Sequence, residues 1–170
     1  MAVESMRELY RHLLAEAYDA ERHALGLLDQ LETEMGAPDG RDRVRRYRDA
    51  TTRQIDTLER CMELLGGASP SVASAALPGV LEDRRTFLHQ APGVGVLEAY
   101  DVIALGRCAE LAGAGYRTLA ALASVCGQPD ARRLFERAIR EEEETAAWCG
   151  ATIPVLAASA TLRGGSPVPA

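Results

Sequence analysis

Apolar residues along the chain recur at helical rather than strand intervals. From Met6 to about Met35, the residues Tyr10, Leu14, Ala17, Ala24, Leu28 and Leu31 fall on one stripe. Ser5 and Glu8 stand as a capping-box pair at its start, and GAPDG ends it. A second stripe, Val44, Tyr47, Thr51, Leu58 and Met62, predicts a helix from about Gly40 to Leu65, stopped by the glycine pair and ASPS. Two long helices joined by a short turn must lie antiparallel. Residues 68–95 read as a crossover between Ser-, Pro- and Gly-rich loops, with one short helix in LPGVLEDRRTFLHQ. A third long helix is predicted from about Gly95 to Val125. GQPD then supplies a break and an N-cap, Asp130, for a fourth, which carries Leu134, Phe135, Ala138, Ile139, the run EEEE, Trp148 and Cys149. Beyond Pro154 the residues are small.

These elements describe an all-α protein: a four-helix bundle of two antiparallel hairpins joined by a crossover with one short helix, in a ferritin-like layout. Residues 1–157 are assigned to the bundle and residues 158–170 to a disordered tail. Composition is compatible with close helix packing, since 47% of the 170 residues are hydrophobic and only 5% aromatic.

Polar residues interrupt the stripes at helical spacing. Glu21 shares a face with Leu14, Ala17 and Ala24 and should point inward. A buried carboxylate is costly unless paired, protonated or bound to metal. Gln54 lies between Thr51 and Leu58, and Glu142 follows Phe135 and Ala138 on their face, although its glutamate neighbours allow a solvated acidic run instead. Glu110 follows Ile103 by two turns, on the margin of the third apolar face. One inward polar residue per helix is how bundles build metal sites; a structural salt bridge is the plainer reading of any one of them.

The net charge of −6 disfavours nucleic acid or an anionic membrane as partner. RDRVRRYR, residues 41–48, concentrates five arginines but reads as a solvated helix face, with an anion- or partner-binding patch as the alternative. All 19 basic residues are arginine and the chain has no asparagine, a pattern expected of a GC-rich genome rather than of a function. Cys61, Cys108, Cys126 and Cys149 form no ligand cluster and read as core residues in a reducing cytoplasm. No apolar run approaches membrane-spanning length, so a cytoplasmic protein is expected.

The chain resembles the YciE/YciF-type family of bacterial ferritin-like proteins, which are associated with stress responses. ELYRHLLAEAYDAERHALGLLDQL is similar to the family's opening helix, where the glutamate closing "LYDAE" is a metal ligand; here it is Glu21. ATTRQIDTLERCMELLG, SAALPGVLED, GYRTLAALASVCG and AIREEEETAAW resemble the second helix, the crossover, the later third helix and the last helix. The resemblance implies a di-iron centre, yet the family's acidic positions fall on Ala50, Ala112 and Ala146, its histidine position on Glu110, and its Gln-or-His position on Gln54. The ligand set it leaves is Glu21, Gln54, Glu142 and Glu110. His12, His23 and His89 read as surface residues.

Three functions compete. The first is a non-catalytic bundle, a homodimer acting through contacts with itself or an unidentified protein in a structural, protective or regulatory role; it has no catalytic residue and needs no cofactor. The second is an oxidase- or peroxidase-type enzyme holding iron or manganese with the reduced ligand set. The third is a binder of a small ligand in the space left by the AGAG run, residues 112–115.

Overall fold

The computed structural model describes residues 3–66 and 72–164. Its elements are five helices: α1 (Met6–Glu34), α2 (Pro38–Leu64), α3 (Ala76–Leu88), α4 (Val94–Val125) and α5 (Pro129–Gly164). No strand occurs among the described residues.

The helix ends follow local chemistry. Ser5 Oγ accepts from the Glu8 backbone N–H at 3.2 Å, and the Glu8 carboxylate accepts from Ser5 Oγ and the Glu4 N–H. At the far ends of α2 and α4, Gly66 and Gly127 turn the chain at φ +105° and +67°, a region that residues with a Cβ disfavour. Asp130 was expected to cap α5 but lies inside its first turn. The first intrahelical bond runs from the Arg132 N–H to the Gln128 carbonyl, and Pro129, whose missing N–H costs nothing there, opens the helix. Asp130 pairs instead with Arg133.

Cross-helix contacts set the directions. Between α1 and α2, Arg45 meets Glu32 at 2.9 Å, Arg48 meets Asp29 at 2.5 Å, and Tyr18 donates to Glu59 at 2.8 Å, a pairing that runs antiparallel. The arginine run at 41–48 is therefore largely a helix-pairing surface, and Arg43 lies over the Trp148 ring. Between α4 and α5, Gly95 faces Ala160, Gly106 faces Cys149 and Gly113 faces Glu142, so each step along α4 matches an equal step back along α5. The small residues of α4 permit this close approach. Both α2 and α4 run from the end of the molecule near Leu31 and Val102 to the end near Leu14 and Leu119, so the connection between them must return the full length.

That register explains one departure from expectation. The last helix was expected to yield near Pro154 to a tail beginning at residue 158, yet α5 continues to Gly164. Pro154 removes one backbone donor but sits on the exposed face. Ile153 and Leu156 pack on the core, and Ala160 covers Gly95, so tertiary contact along α4 carries the helix past the proline. The rest of that tail, residues 165–170, and residues 67–71 of the crossover lie outside the described residues.

The crossover is held by charge. Arg84 of α3, only 4% exposed, donates to Asp101 of α4 at 2.7 Å and to Glu34 of α1 at 2.6 Å. Burial pushes the Asp101 carboxyl up despite Arg84. For Arg84 burial is again the largest influence, but two carboxylates outweigh it and raise its pKa. Asp101 has one cationic partner, Arg84, whereas Arg84 has two carboxylates, Asp101 and Glu34. Upstream, the Ser74 N–H donates to Asp19 at 2.8 Å and ties the crossover to α1.

Removing Asp101 leaves Arg84 buried with Glu34 alone. Asp101→Ala is expected to lower stability by about 3 kcal/mol in urea unfolding. Replacing the pair together, with Arg84→Met and Asp101→Leu, should recover most of that loss.

Candidate functional site

The core is two apolar clusters separated by a polar layer. One cluster gathers Leu28, Leu31, Val44, Val102 and Leu105; the other gathers Tyr10, Leu14, Leu58, Leu119 and Phe135. Between them lie Glu21 of α1, Thr51 and Gln54 of α2, and Glu142 of α5, none more than 3% exposed. Two tyrosines frame the layer. Tyr47 packs its ring in the first cluster and Tyr116 in the second; the Tyr47 hydroxyl bonds Glu142, and Tyr116 stands beside Glu21.

Glu142 is the best-satisfied member. The Tyr47 hydroxyl donates to its Oε2 at 2.6 Å, and Gln54 Nε2 donates to its Oε1 at 2.9 Å. The run EEEE thus divides: Glu142 is buried, Glu141 is half-buried and pairs with Arg53 and Arg137, and Glu143 and Glu144 are exposed. Glu21 is less complete. Tyr116 stands close enough to favour its charged form, but no regular hydrogen bond closes between them, and Glu21 Oε2 and the Tyr116 hydroxyl are both left without a partner. Thr51 Oγ1 and Gln54 Oε1 are also unsatisfied.

Burial governs the protonation of both carboxyls. It pushes Glu21 up to about 7, against a smaller opposing pull from Tyr116. It pushes Glu142 up to about 8, and the negative charge of Glu21 adds to the effect while Tyr47 and Gln54 oppose it. Two carboxylates facing one another out of water cannot both ionise cheaply, so they share protons at neutral pH. The same surroundings hold Tyr47 and Tyr116 well above their ordinary range, so both keep their protons for donation.

Three of the four residues singled out from the sequence, Glu21, Gln54 and Glu142, therefore meet in one layer. Glu110 does not. It is exposed on the outer side of α4, where it lines a shallow groove with Ile103, Gly106 and Ile153. The reference residue for its placement, Ile103, lies in that groove too, whereas Ala109, Gly113 and Tyr116 carry the inward face. Sequence reasoning placed Tyr47 on an apolar stripe and did not single out Tyr116. Their hydroxyls were the missed signal, since a buried tyrosine needs a partner for its polar end.

A di-iron centre of the bundle type uses a glutamate from each of two helices and a Glu-x-x-His pair from each of the other two. Here two buried carboxylates remain, and Ala50, Ala112 and Ala146 carry no donor. His23 and His89 are exposed and His12 is half-buried on α1 away from the layer. Among the described residues, no three His, Cys, Asp or Glu side chains gather closely enough to hold a metal ion. With Glu142 already engaged by Tyr47 and Gln54, this donor set does not fit two metal ions.

Comparison with known proteins follows the same outline. Residues 5–161 match DUF892, a domain of unknown function. The chain belongs to the DUF892 family. No curated protein matches it in sequence. The fold is similar to that of the Escherichia coli stress protein YciF, with a TM-score of 0.82, 20% identity, and 91% of this chain and 98% of that one covered. It is also similar to YcfI from Rhodopseudomonas palustris, named as a candidate structural protein: TM-score 0.81, 22% identity, 87% of this chain and 94% of that one. A third similar structure is a protein of Xanthomonas campestris, at TM-score 0.76, 22% identity, and 95% and 100% coverage. This DUF892 chain thus shares its helical fold with proteins across most of its length.

The raised carboxyls fix the sign of a pH effect. Unfolded, both titrate near 4.5; folded, they hold protons to about 7 and 8, so the native state binds more protons between these values. The layer's contribution is therefore full below about pH 4.5 and is lost as pH rises through 7 to 8. The slope is up to about 1.4 kcal/mol per pH unit for each proton. Glu142→Gln is expected to flatten this decline in urea unfolding measured between pH 5 and about 8.5.

Proposed function

We propose that the chain is a ferritin-like four-helix bundle in which a hydrogen-bonded, proton-sharing layer stands where a di-iron centre would lie, and that it acts as a stress-related structural or protective protein rather than an enzyme. One observation carries the reading: Glu142, the buried carboxylate on α5, is occupied by the Tyr47 hydroxyl and the Gln54 amide. These donors do for a carboxylate what a cation would, and with shared protons they leave little charge to neutralise. The role is supported by the names of two similar structures, one a stress protein and one a candidate structural protein.

A homodimer suits a protein that acts through contacts. Val96 is exposed two turns before Ile103 on α4, on the side of the groove between Ile103 and Ile153. Arg107 and Glu110 border that groove, so a two-fold related copy would bring opposite charges together. The charge of −6 and the absence, among the described residues, of a helix long and apolar enough to cross a membrane support protein contacts over nucleic acid or lipid.

Protein purified after growth with added iron and manganese is expected to carry far less than one metal ion per chain, and Glu21→Gln should leave its melting temperature unchanged or higher. Stoichiometric metal that disappears in Glu21→Ala would overturn the reading. For the assembly, light scattering should give a dimer for the native chain and a monomer for Ile153→Asp.

A further inference from the structure

The arginines of α2 divide by the helix they face. Arg45 and Arg48, from the run at 41–48, meet acids of α1, whereas Arg53 and Arg60, two turns apart on α2, lie along the seam with α5. With Arg137 of α5 they line a cavity of about 220 Å³ in that seam, where the short side chains of Thr57 and Ala138 leave room. Three guanidiniums thus surround one small space on a chain whose net charge is −6.

The counter-charges around it leave a surplus. Glu141 is the carboxylate that reaches these arginines, and a single oxygen, Oε1, serves both Arg53 Nη2 and Arg137 Nε, each at 3.2 Å. Its other oxygen accepts from Gln54 Nε2 at 3.2 Å. These contacts are long beside the roughly 2.7–2.9 Å of a well-formed charge-assisted bond. Among the described residues Arg60 takes part in no ion pair or hydrogen bond. Asp56 lines the same cavity one turn before Arg60, a spacing that ordinarily closes an ion pair, yet it too is unengaged. Both side chains are exposed, so water serves them in the free protein. The cavity therefore holds an idle donor fork and an idle acceptor side by side.

We propose that this cavity binds inorganic phosphate as the hydrogen-phosphate ion, its oxygens held by Arg60, Arg53 and Arg137 and its P–OH donated to Asp56. A tetrahedral oxyanion presents acceptors in several directions, which suits guanidinium forks arriving from two helices; a carboxylate presents only two oxygens. The two acids in the lining set the selectivity. Ionised Asp56 and Glu141 only accept, so they repel an oxyanion without a proton and take a hydrogen bond from one that keeps a proton. Sulfate has no proton to give near neutral pH, and a phosphate monoester dianion has none either. Free phosphate does.

The inference goes beyond the proposed role and does not depend on it, since the cavity lies outside the polar layer. Equilibrium dialysis of chelator-treated, full-length protein against radiolabelled inorganic phosphate, at pH 7.5 and constant ionic strength, tests it. Saturable binding of one phosphate per chain is expected. As competitors, sulfate and methyl phosphate should each require about tenfold higher concentration than unlabelled phosphate. Arg60→Gln should weaken phosphate by about tenfold. Asp56→Asn removes the proton acceptor and should bring sulfate to within about twofold of phosphate. Thermal unfolding verifies that the variants are folded, and if either is not, the native chain's ranking of the three anions still decides. Absence of saturable phosphate binding, competition by sulfate or methyl phosphate as strong as by phosphate, undiminished binding to Arg60→Gln, or an unchanged preference in Asp56→Asn would overturn the proposal.

Discussion

Two carboxyl groups buried between helices constrain the rest of this molecule. Glu21 and Glu142 are placed out of water by the same apolar stripes that build α1 and α5, and each must be paired, protonated or hydrogen-bonded. For Glu142 the helices do this with neutral donors. Tyr47 and Gln54 reach Glu142 from α2, and Tyr116 stands beside Glu21 from α4. Every long helix contributes to the layer, so their heights relative to one another are tied together at mid-length. The apolar clusters on either side add burial energy but would tolerate slippage more readily than a 2.6 Å hydrogen bond.

Register along the α4–α5 pair follows from small residues as well as from polar ones. Gly106 and Gly113 let the Cβ atoms of Cys149 and Glu142 approach to 3.1 and 3.4 Å of where their own Cβ atoms would stand. Such closeness leaves little freedom for α5 to rotate, and it points Glu142 inward rather than into the solvated run of its neighbours. The Arg84 cluster does comparable work outside the layer, joining α1, α3 and α4 through one guanidinium. It places α3 beside α4.

Much of this architecture was legible in periodicity. The four long helices, the crossover and the inward direction of Glu21 and Gln54 follow from residues three, four and seven apart, which left Glu142 between an inward position and a solvated acidic run. Glu110 misled because Ile103, against which it was placed, belongs to an outer groove that is also apolar. A stripe shows that a face is apolar, not which partner covers it. Arg84 and Asp101 gave no signal, since charged residues at helical positions are ordinarily exposed and only a neighbour on another helix makes their burial tolerable.

By itself the sequence determined which segments are helical, where most of them stop, and that carboxylates would stand among apolar residues. These properties depend on side chains within one or two turns of each other, so they are written in local spacing. Tertiary structure decided what the carboxylates meet, that Pro154 does not end α5, and that Gly115 faces open space while Gly113 faces Glu142. Those outcomes depend on atoms brought together from distant parts of the chain. Their energies come from burial and hydrogen bonding between helices, which no periodicity within one helix contains.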